Sequence, residues 1–237
     1  MSLAQLQEAI AALVCDEESL QAYEVDPDAW SRSRLGASDA CLLARLDASS
    51  LRLFHEIHAR DRAYFIEAVL PLTIQRLGAD WSRAYFAKRP YGDDDVRAEA
   101  ARFVEHLADD ARDEGAFELA RYELAKFRLL DEPAFEPRTF EGRAPERHAP
   151  APGIAILPTP IHLPSLVEDP LGAPTGPGGV VLLRRDSEEV ASAWIEGLPA
   201  QLLRAVEAKN EARLREIAST KEGRSALLQI LADGAIR

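Results

Sequence analysis

The chain has 237 residues, of which 47% are hydrophobic and 29% charged, a composition ordinary for a globular protein of one or two domains. No apolar run approaches the roughly 20 residues of a membrane span, and no basic segment followed by an apolar one predicts a secretory signal. Cys15 and Cys41 stand apart from any metal-binding spacing. We therefore expect buried thiols, a reducing cytoplasmic location and no membrane partner.

The formal charge of -12 is unevenly distributed along the sequence. Residues 179–237 contain nine Lys or Arg and nine Asp or Glu, so the whole acidic excess lies in residues 1–178. Because neutralisation of phosphates supplies most non-specific affinity for DNA, this acidic segment is unsuited to wrapping a polyanion. We expect no nucleic-acid partner, although the charges are compatible with a small basic contact.

Residues 1–130 predict an all-α helical body. Apolar positions recur at helical spacing, and capping residues, Gly or Pro delimit most segments. The predicted helices cover 2–14, 17–23, 38–46 and 49–70, a short segment between Pro71 and Gly78, a helix capped by Asp80, and 93–108 and 112–130. On the last helix, Phe117, Ala120, Leu124 and Phe127 form a stripe wide enough for the middle of a bundle.

The amino-acid composition changes after residue 130, because most prolines of the chain fall between Pro133 and Pro177. Residues 131–152 predict an extended Pro-rich linker. Residues 154–157 and 161–163 are short apolar runs suited to edge strands. Residues 153–237 then form a separate module in this interpretation.

The run GVVLLRR at 179–185 is the strongest strand signal in the chain. Asp186 to Glu189 resemble a capping box and predict a helical turn up to Trp194. Three helices follow, starting near Pro199, Asn210 and Thr220. Three strands and three helices predict a winged-helix-like module, so that the whole chain is mainly α with a small α+β part.

No sequence motif of a common catalytic site is present: we find no G-x-S-x-G, P-loop or Gly-rich dinucleotide turn. His55 and His58 could reach one metal ion, but no third ligand is apparent. Residues 93–95 are acidic at a helix start, where carboxylates cap the backbone. Glu118 and Glu123 diverge around their helix and do not predict acid–base chemistry. We expect no catalytic residue, metal or cofactor in this chain.

Arg184 and Arg185 at the end of the predicted strand have two interpretations. Two arginines can protect an exposed strand edge against unwanted pairing. They can also hold an acidic segment of a peptide that pairs with the strand, because guanidinium groups bind carboxylates in a bidentate manner. An open strand edge near Val180 is required for the second interpretation.

The sequence also resembles a known family. The segment LARYELAKF at 119–127 resembles the helix that ends the N-terminal domain in partner subunits of multinuclear non-heme iron dependent oxidative enzymes (MNIO). The segments GVVLLR at 179–184, Leu202-Leu203 and 228–236 resemble their C-terminal module, a RiPP recognition element of three strands and three helices. The resemblance covers about residues 50–130 and 179–236 and depends on patterns of apolar positions.

The resemblance implies a non-catalytic adaptor that binds the leader of a ribosomal precursor peptide. The adaptor docks on a (β/α)₈ barrel enzyme, which holds the iron and oxidises cysteine or other residues of the peptide, as in the methanobactin and thiaglutamate pathways. The leader is expected to add to the third strand and pack on the third helix. The residues that the resemblance implies for peptide binding are Val180, Val181, Leu182, Leu183, Arg184, Arg185, Arg224, Leu227, Leu228 and Leu231.

Two other functions are compatible with the sequence. In a winged-helix DNA-binding regulator, residues 221–232 would be the recognition helix, with Lys221, Arg224 and Gln229 as its contact groups. In an enzyme, His55 and His58 would bind iron or zinc. The acidic charge opposes the first alternative, and the missing third ligand opposes the second.

Overall fold

In a computed structural model of the protein, the structure describes residues 3–88, 96–109, 113–136 and 148–236. The described elements are, in chain order, α1 (Leu3–Cys15), α2 (Glu17–Val25), α3 (Pro27–Arg34), α4 (Ala37–Leu43), α5 (Ala48–Val69), α6 (Pro71–Leu77), α7 (Trp81–Lys88), α8 (Val96–Asp109), α9 (Glu114–Leu129), β1 (Ile154–Ile161), α10 (Leu163–Glu168), β2 (Pro177–Asp186), β3 (Glu189–Ile195), α11 (Gly197–Glu207), α12 (Glu211–Ala218) and α13 (Lys221–Ala232). The predicted fold class, mainly α with a small α+β part, is confirmed. None of the described helices combines the length and the apolar character needed to cross a bilayer.

The chain divides into two compact units, each built from two segments. The helical unit comprises Met1–Ala68 and Leu77–His106, and the sheet unit comprises Val69–Arg76 and Leu107–Arg237. This division differs from the predicted domains at 1–130, 131–152 and 153–237. Helix α9 ends the predicted helical body, yet it packs on β1 and β2 in the sheet unit.

Short helices with side-chain caps build the helical unit. The carboxylate of Asp16 accepts hydrogen bonds from the backbone N–H groups of Glu18 and Ser19 at the start of α2. Asp26 ends α2 and caps α3, which begins with Pro27. No helix is predicted between residues 23 and 38, and α3 lies there because Asp26 both ends α2 and caps a new helix.

The core of the first five helices is apolar and includes one hydrogen-bonded tyrosine. Leu13, Leu20 and Tyr23 are completely buried. The Tyr23 hydroxyl donates to the carbonyl oxygens of Leu43 (2.8 Å) and Leu46 (2.9 Å), so α2 is tied to the C-terminal end of α4. A buried polar group that finds partners in this way fixes the packing without an unpaired donor.

The sheet unit contains three antiparallel strands in the order β1-β2-β3. Strand β2 pairs with β1 in the register that places Ile156 opposite Leu182, and with β3 in the register that places Leu182 opposite Ala193. The expectation of an open edge near Val180 is therefore wrong, because both edges of β2 are occupied by the protein's own backbone. The central position of β2 accounts for its almost wholly buried apolar run.

The predicted helical turn between Asp186 and Trp194 is wrong as well. These residues form a two-residue turn, Ser187-Glu188, followed by β3. Ser187 has a φ of 30°, a region that glycine or asparagine usually supplies in tight hairpins. The sequence lacks that glycine signal, and the acidic residues imitate a helix cap. The predicted strand at 161–163 is also replaced, by the end of β1 and the start of α10.

Helices cover both faces of the sheet, since successive side chains of a strand alternate between the faces. On one face, Val181 and Leu183 pack with Leu119 and Tyr122 of α9. On the other face, Val180 joins a core formed mainly by α11, α12 and α13. The apolar stripe predicted for the middle of a helical bundle thus covers a sheet.

Described parts of the predicted linker contact the sheet unit. The Phe135 N–H donates to the Arg185 carbonyl oxygen (2.8 Å), and Pro150 forms an isolated antiparallel bridge with Ile236. Residues 137–147 of that linker lie outside the described residues, as do the predicted turn at 89–92 and the acidic helix start at 93–95. The remaining predicted helices are confirmed to within a few residues at their ends.

Candidate functional site

The predicted peptide-binding residues of β2 do not form an accessible surface. Val180, Val181 and Leu183 are between 0% and 4% exposed and belong to the two cores of the sheet unit. Leu182 is partly buried on the face that α11–α13 cover. These apolar residues hold the sheet between its helices instead of binding another chain.

The two arginines at the end of β2 have partners within the chain. Arg184 Nε lies 2.8 Å from Asp186 Oδ1, and the pKa of the exposed Arg184 guanidinium is raised by this contact. Arg185 donates to the carbonyl oxygens of Glu132 and Ser187. The arginines thus take part in contacts around the protein's own turn. Because β2 is the central strand, neither interpretation of Arg184 and Arg185, protection of an exposed edge or binding of a peptide along β2, is confirmed.

The predicted residues of α13 divide into two groups. Leu227 and Leu231 are buried in the core, with exposed fractions of 9% and 4%. Arg224 and Leu228 are exposed. Two of the four positions are therefore unavailable to a ligand, and the other two lie away from the groove described next.

An apolar groove runs between the sheet and α13, with a volume of about 750 Å³. Its floor includes Leu182, Ile195 and Leu203, and Ala226 and Ile230 form the helical wall. The side chains that line it are those of Leu182, Ile195, Pro199, Leu203, Lys221, Glu222, Ser225, Ala226, Gln229, Ile230, Asp233 and Ala235. A concave apolar surface with a few polar groups at its rim is typical of a binding site.

The charges at the rim of the groove are mixed. Lys221 and Glu222 lie in the first turn of α13, and Asp233 follows its last turn. The Gln229 side-chain amide donates to Asp233 Oδ1 (2.8 Å). Opposite charges at one end and a carboxylate at the other favour a ligand with both polar and apolar groups over a simple polyanion.

Strand β3 is an outer strand of the sheet beside this groove. In a two-residue hairpin the residues that flank the turn, here Asp186 and Glu189, form a hydrogen-bonded pair, and such pairs alternate along the strands. The backbone N–H and C=O groups of Val190, Ser192 and Trp194 consequently point away from β2. They form an edge to which an extended chain can add.

The opposite edge of the sheet is less suited to such addition. The same alternation directs the backbone positions of Pro158 and Pro160 on β1 away from β2, and proline has no N–H to donate. Arg121 Nη1 also donates to the carbonyl oxygen of Pro158 (3.2 Å). Of the two outer strands, β3 is thus the one suited to pair with another chain.

Trp194 sets the geometry of the β3 edge. Its indole Nε1 donates to Glu196 Oε1 (2.8 Å), and its ring meets that of His162 edge to face with centroids 5.1 Å apart. The ring also lies over Gly179, where a Cβ atom would come within 2.5 Å of Trp194 Cζ2. Glycine at 179 therefore lets the indole pack across the sheet, beyond its role as the entry to a strand.

The helical wall and the edge strand of this groove are not among the residues predicted from the sequence. On α13 the wall positions recur at spacings of three and four, as Glu222, Ser225, Ala226, Gln229 and Ile230. That periodicity is visible in the sequence, but the prediction chose the larger leucines of the same helix as the residues that contact the peptide. No local signal identified β3, because its exposed face consists of small and polar residues.

The histidines considered as metal ligands take part in contacts within the helical unit. His55 Nδ1 lies 2.9 Å from the Val14 carbonyl oxygen, and His55 Nε2 lies 3.0 Å from Glu17 Oε2. His55 and His58 also line a second cavity of about 820 Å³. Within the described residues, no group of three or more His, Cys, Asp or Glu side chains is arranged to hold a metal ion.

Glu118 and Glu123 have separate structural partners in the sheet unit. Glu123 accepts hydrogen bonds from the backbone N–H groups of Leu72 (2.8 Å) and Thr73 (2.9 Å) at the start of α6. Glu118 forms an ion pair with Arg121 at 2.9 Å. Burial raises the pKa of both carboxyls above its ordinary value. Neither group faces the groove beside β3.

Comparison with known proteins completes the description of the site. No protein-family model matches the chain, and no curated protein matches its sequence. The outer strand, the groove and the pattern of the sequence are therefore the features that bear on function.

Proposed function

We propose that the chain is a non-catalytic adaptor that binds the leader of a ribosomal precursor peptide. It presents the peptide to a partner iron-dependent barrel enzyme, which oxidises the peptide, with cysteine as the expected target. The iron resides in the partner enzyme. The single observation that supports this function is the outer strand β3 beside the apolar groove that α13 completes.

Strand addition explains how this site would bind a peptide. The outward N–H and C=O groups of Val190, Ser192 and Trp194 provide main-chain hydrogen bonds that do not depend on the peptide's sequence. Alternate side chains of the added strand would point towards Ile195 and the wall of α13, where apolar residues are buried. Backbone pairing supplies affinity, and the groove supplies selectivity.

The family resemblance implies the same place once the strands are counted correctly. It expects the leader on the third strand and the third helix of the module. The third strand is β3, and the third helix after it is α13. The binding residues proposed here accordingly replace those of β2 with the edge of β3 and the wall of α13.

A direct test uses a synthetic leader peptide with a fluorescent label, titrated with the full chain and followed by anisotropy. We expect a short peptide to be encoded beside this gene, together with a barrel oxidase, and that peptide is the one to synthesise. Ser192→Pro removes one outward N–H from β3 and obstructs the approaching strand, so we expect affinity to fall roughly tenfold or more. Ser192→Ala is the matched control, since it removes the hydroxyl but keeps the backbone donor.

A second pair of variants tests the groove. Ser225→Trp fills the groove with an indole and should abolish binding, whereas Leu228→Trp places the same ring on the same helix outside it. Leu228 is 48% exposed and absent from the groove lining, so its replacement should leave affinity unchanged. Equal effects of the two tryptophans, or no binding by the wild-type chain, would contradict the proposed function.

A further inference from the structure

Asp233 lines the groove at a position that is unfavourable for a carboxylate on its own helix. It is the C-terminal cap of α13 and is exposed. The carbonyl end of a helix carries a partial negative charge, which repels a carboxylate and attracts a cation. Glu222, in the first turn of the same helix, has the favourable arrangement. The dipole of α13 therefore accounts for Glu222 but does not account for Asp233.

The carboxylate of Asp233 is oriented, but not neutralised, within the described part of the chain. Gln229, one turn earlier on α13, donates its side-chain amide to Asp233 Oδ1 at 2.8 Å. This donor carries no charge. No Lys, Arg or His of the described residues forms an ion pair with Asp233. Since a carboxylate accepts several hydrogen bonds, Asp233 presents an oriented acceptor at the rim of the groove.

Backbone hydrogen bonds place Asp233 near the start of β3. Just after it, the Ala235 carbonyl oxygen accepts a hydrogen bond from the Ala151 N–H (3.2 Å). Two residues further along that segment, the Gly153 carbonyl oxygen accepts from the Arg185 N–H (2.8 Å). Arg185 in turn lies opposite the start of β3. An extended chain that adds along β3 therefore has one of its ends beside Asp233.

The charges at this end of the groove are negative in sum. Glu189, the first residue of β3, is exposed and forms no ion pair among the described residues. Arg184 lies on the same face of β2 as Leu182, which lines the groove. Its guanidinium, however, already donates to both carboxylate oxygens of Asp186, at 2.8 and 3.0 Å. Within the described residues, Asp233 and Glu189 thus remain without a cation.

We propose that Asp233 selects leader peptides that carry a lysine or an arginine at one end of their apolar segment. This inference rests on the peptide-binding function proposed above, because it names a side chain that the same groove recognises. The apolar floor binds the apolar residues of the added strand, and the basic side chain pairs with Asp233. A cation at this place also offsets the partial negative charge at the end of α13.

The same charges oppose other ligands in the groove. An acidic peptide brings a carboxylate to Asp233 and Glu189, where like charges repel each other. A nucleic-acid strand brings phosphates to the same place, where no cation neutralises them. A wholly apolar peptide displaces water around the two carboxylates and returns no hydrogen bond to them. A peptide that is apolar in its middle and basic at this end meets none of these penalties.

Anisotropy titrations of the full chain with two labelled peptides test the proposal. One is the co-encoded leader, and the other is the same sequence with every lysine and arginine replaced by glutamine. We expect the wild type to bind the first peptide about tenfold more tightly. Asp233→Asn keeps an acceptor for Gln229 and removes only the charge. It should weaken binding of the first peptide about fivefold and leave binding of the second unchanged.

Charge reversal enlarges the effect and supplies the matched control. Asp233→Lys should weaken binding of the unmodified leader roughly tenfold or more, because it sets one cation against another. Glu207→Lys changes the net charge of the protein by the same amount. Glu207 is exposed at the end of α11 and is absent from the groove lining. Its replacement should change affinity by no more than about twofold, since salt screens distant charges.

The outcomes separate this inference from the function on which it rests. If the wild type binds neither peptide, both the inference and the peptide-binding function are overturned. If it binds both peptides equally, the role of Asp233 is overturned and the peptide-binding function stands. Equal losses for Asp233→Lys and Glu207→Lys would have the same meaning, because the effect would then come from net charge alone.

Discussion

The buried carboxylates of the two units differ in the number of guanidinium groups that donate hydrogen bonds to them. In the helical unit Glu99 is 4% exposed and receives hydrogen bonds from Arg62 (2.9 Å), Arg102 (2.8 Å) and Tyr85 (2.9 Å). In the sheet unit Glu123 is 7% exposed and, among the described residues, accepts hydrogen bonds from two backbone N–H groups and one hydroxyl. Glu118 in the same unit has one guanidinium partner, that of Arg121.

These partners decide the direction of each pKa. Burial alone raises the pKa of Glu99, but the hydrogen bonds and charges of Arg62 and Arg102 outweigh it, and the pKa is lowered. For Glu118 and Glu123 burial prevails over the hydrogen bonds, and the pKa is raised. Burial alone therefore does not determine whether the pKa of a carboxyl group is raised or lowered; its hydrogen-bond and charge partners must also be known.

The largest expected effect comes from removing a guanidinium from the helical unit. Arg62→Met leaves the Glu99 carboxylate buried with one cation fewer, and breaking a buried ion pair costs about 3–5 kcal/mol. Urea unfolding followed by the fluorescence of Trp30 and Trp81 measures the loss. The control is Arg102→Met, whose side chain is 30% exposed and should cost less. Equal losses would show that burial of the arginine does not matter.

A smaller effect is expected in the sheet unit from Glu123→Ala. The substitution leaves the N–H groups of Leu72 and Thr73 without their acceptor at the start of α6, which costs about 2 kcal/mol. Unfolding followed by Trp194 fluorescence measures it, since Trp194 is the tryptophan of the sheet unit. Glu123→Gln retains an acceptor oxygen and should recover part of the loss. A neutral result for Glu123→Ala would mean that water replaces the carboxylate.

The smallest effect distinguishes the units by pH. Because the pKa of Glu118 is raised in the folded protein, its contribution is complete below the unfolded pKa and is lost as pH rises through the folded pKa. Because the pKa of Glu99 is lowered, its contribution is present above the unfolded pKa and is lost as pH falls.

Glutamine substitutions remove each titration and make the contrast measurable. As pH rises from about 4 to 7, the stability of the wild type relative to Glu118→Gln should decrease. Relative to Glu99→Gln, wild-type stability should increase over the same range. Denaturant midpoints at a series of pH values give both trends. Parallel trends for the two variants would refute the contrast between the units.

Local chemistry explains which parts of the fold could be predicted. The caps Asn210 and Thr220 predict the starts of α12 and α13 to the residue, because capping signals act within one turn. Strand β2 was visible from its apolar run. The hairpin to β3 was not, because Ser187 adopts its positive φ without the glycine that marks such turns.

The prediction of the peptide-binding residues was wrong for a different reason. Its groove depends on which residues of α13 face the sheet, and that orientation is set by the packing of Leu227 and Leu231 into the core. Leu227 and Leu231 were therefore predicted to contact a peptide, whereas they pack in the hydrophobic core. The partner role of the chain remains a proposal that the groove variants test.

The prolines of β1 have a consequence for the behaviour of the protein in concentrated solution. Pro158 and Pro160 remove two backbone donors from the outer side of β1. An extended chain that adds to β3 becomes the new outer strand on that side, while the β1 side still lacks these two donors. The missing donors disfavour growth of a continuous sheet through β1, which is one way in which proteins limit edge-to-edge aggregation.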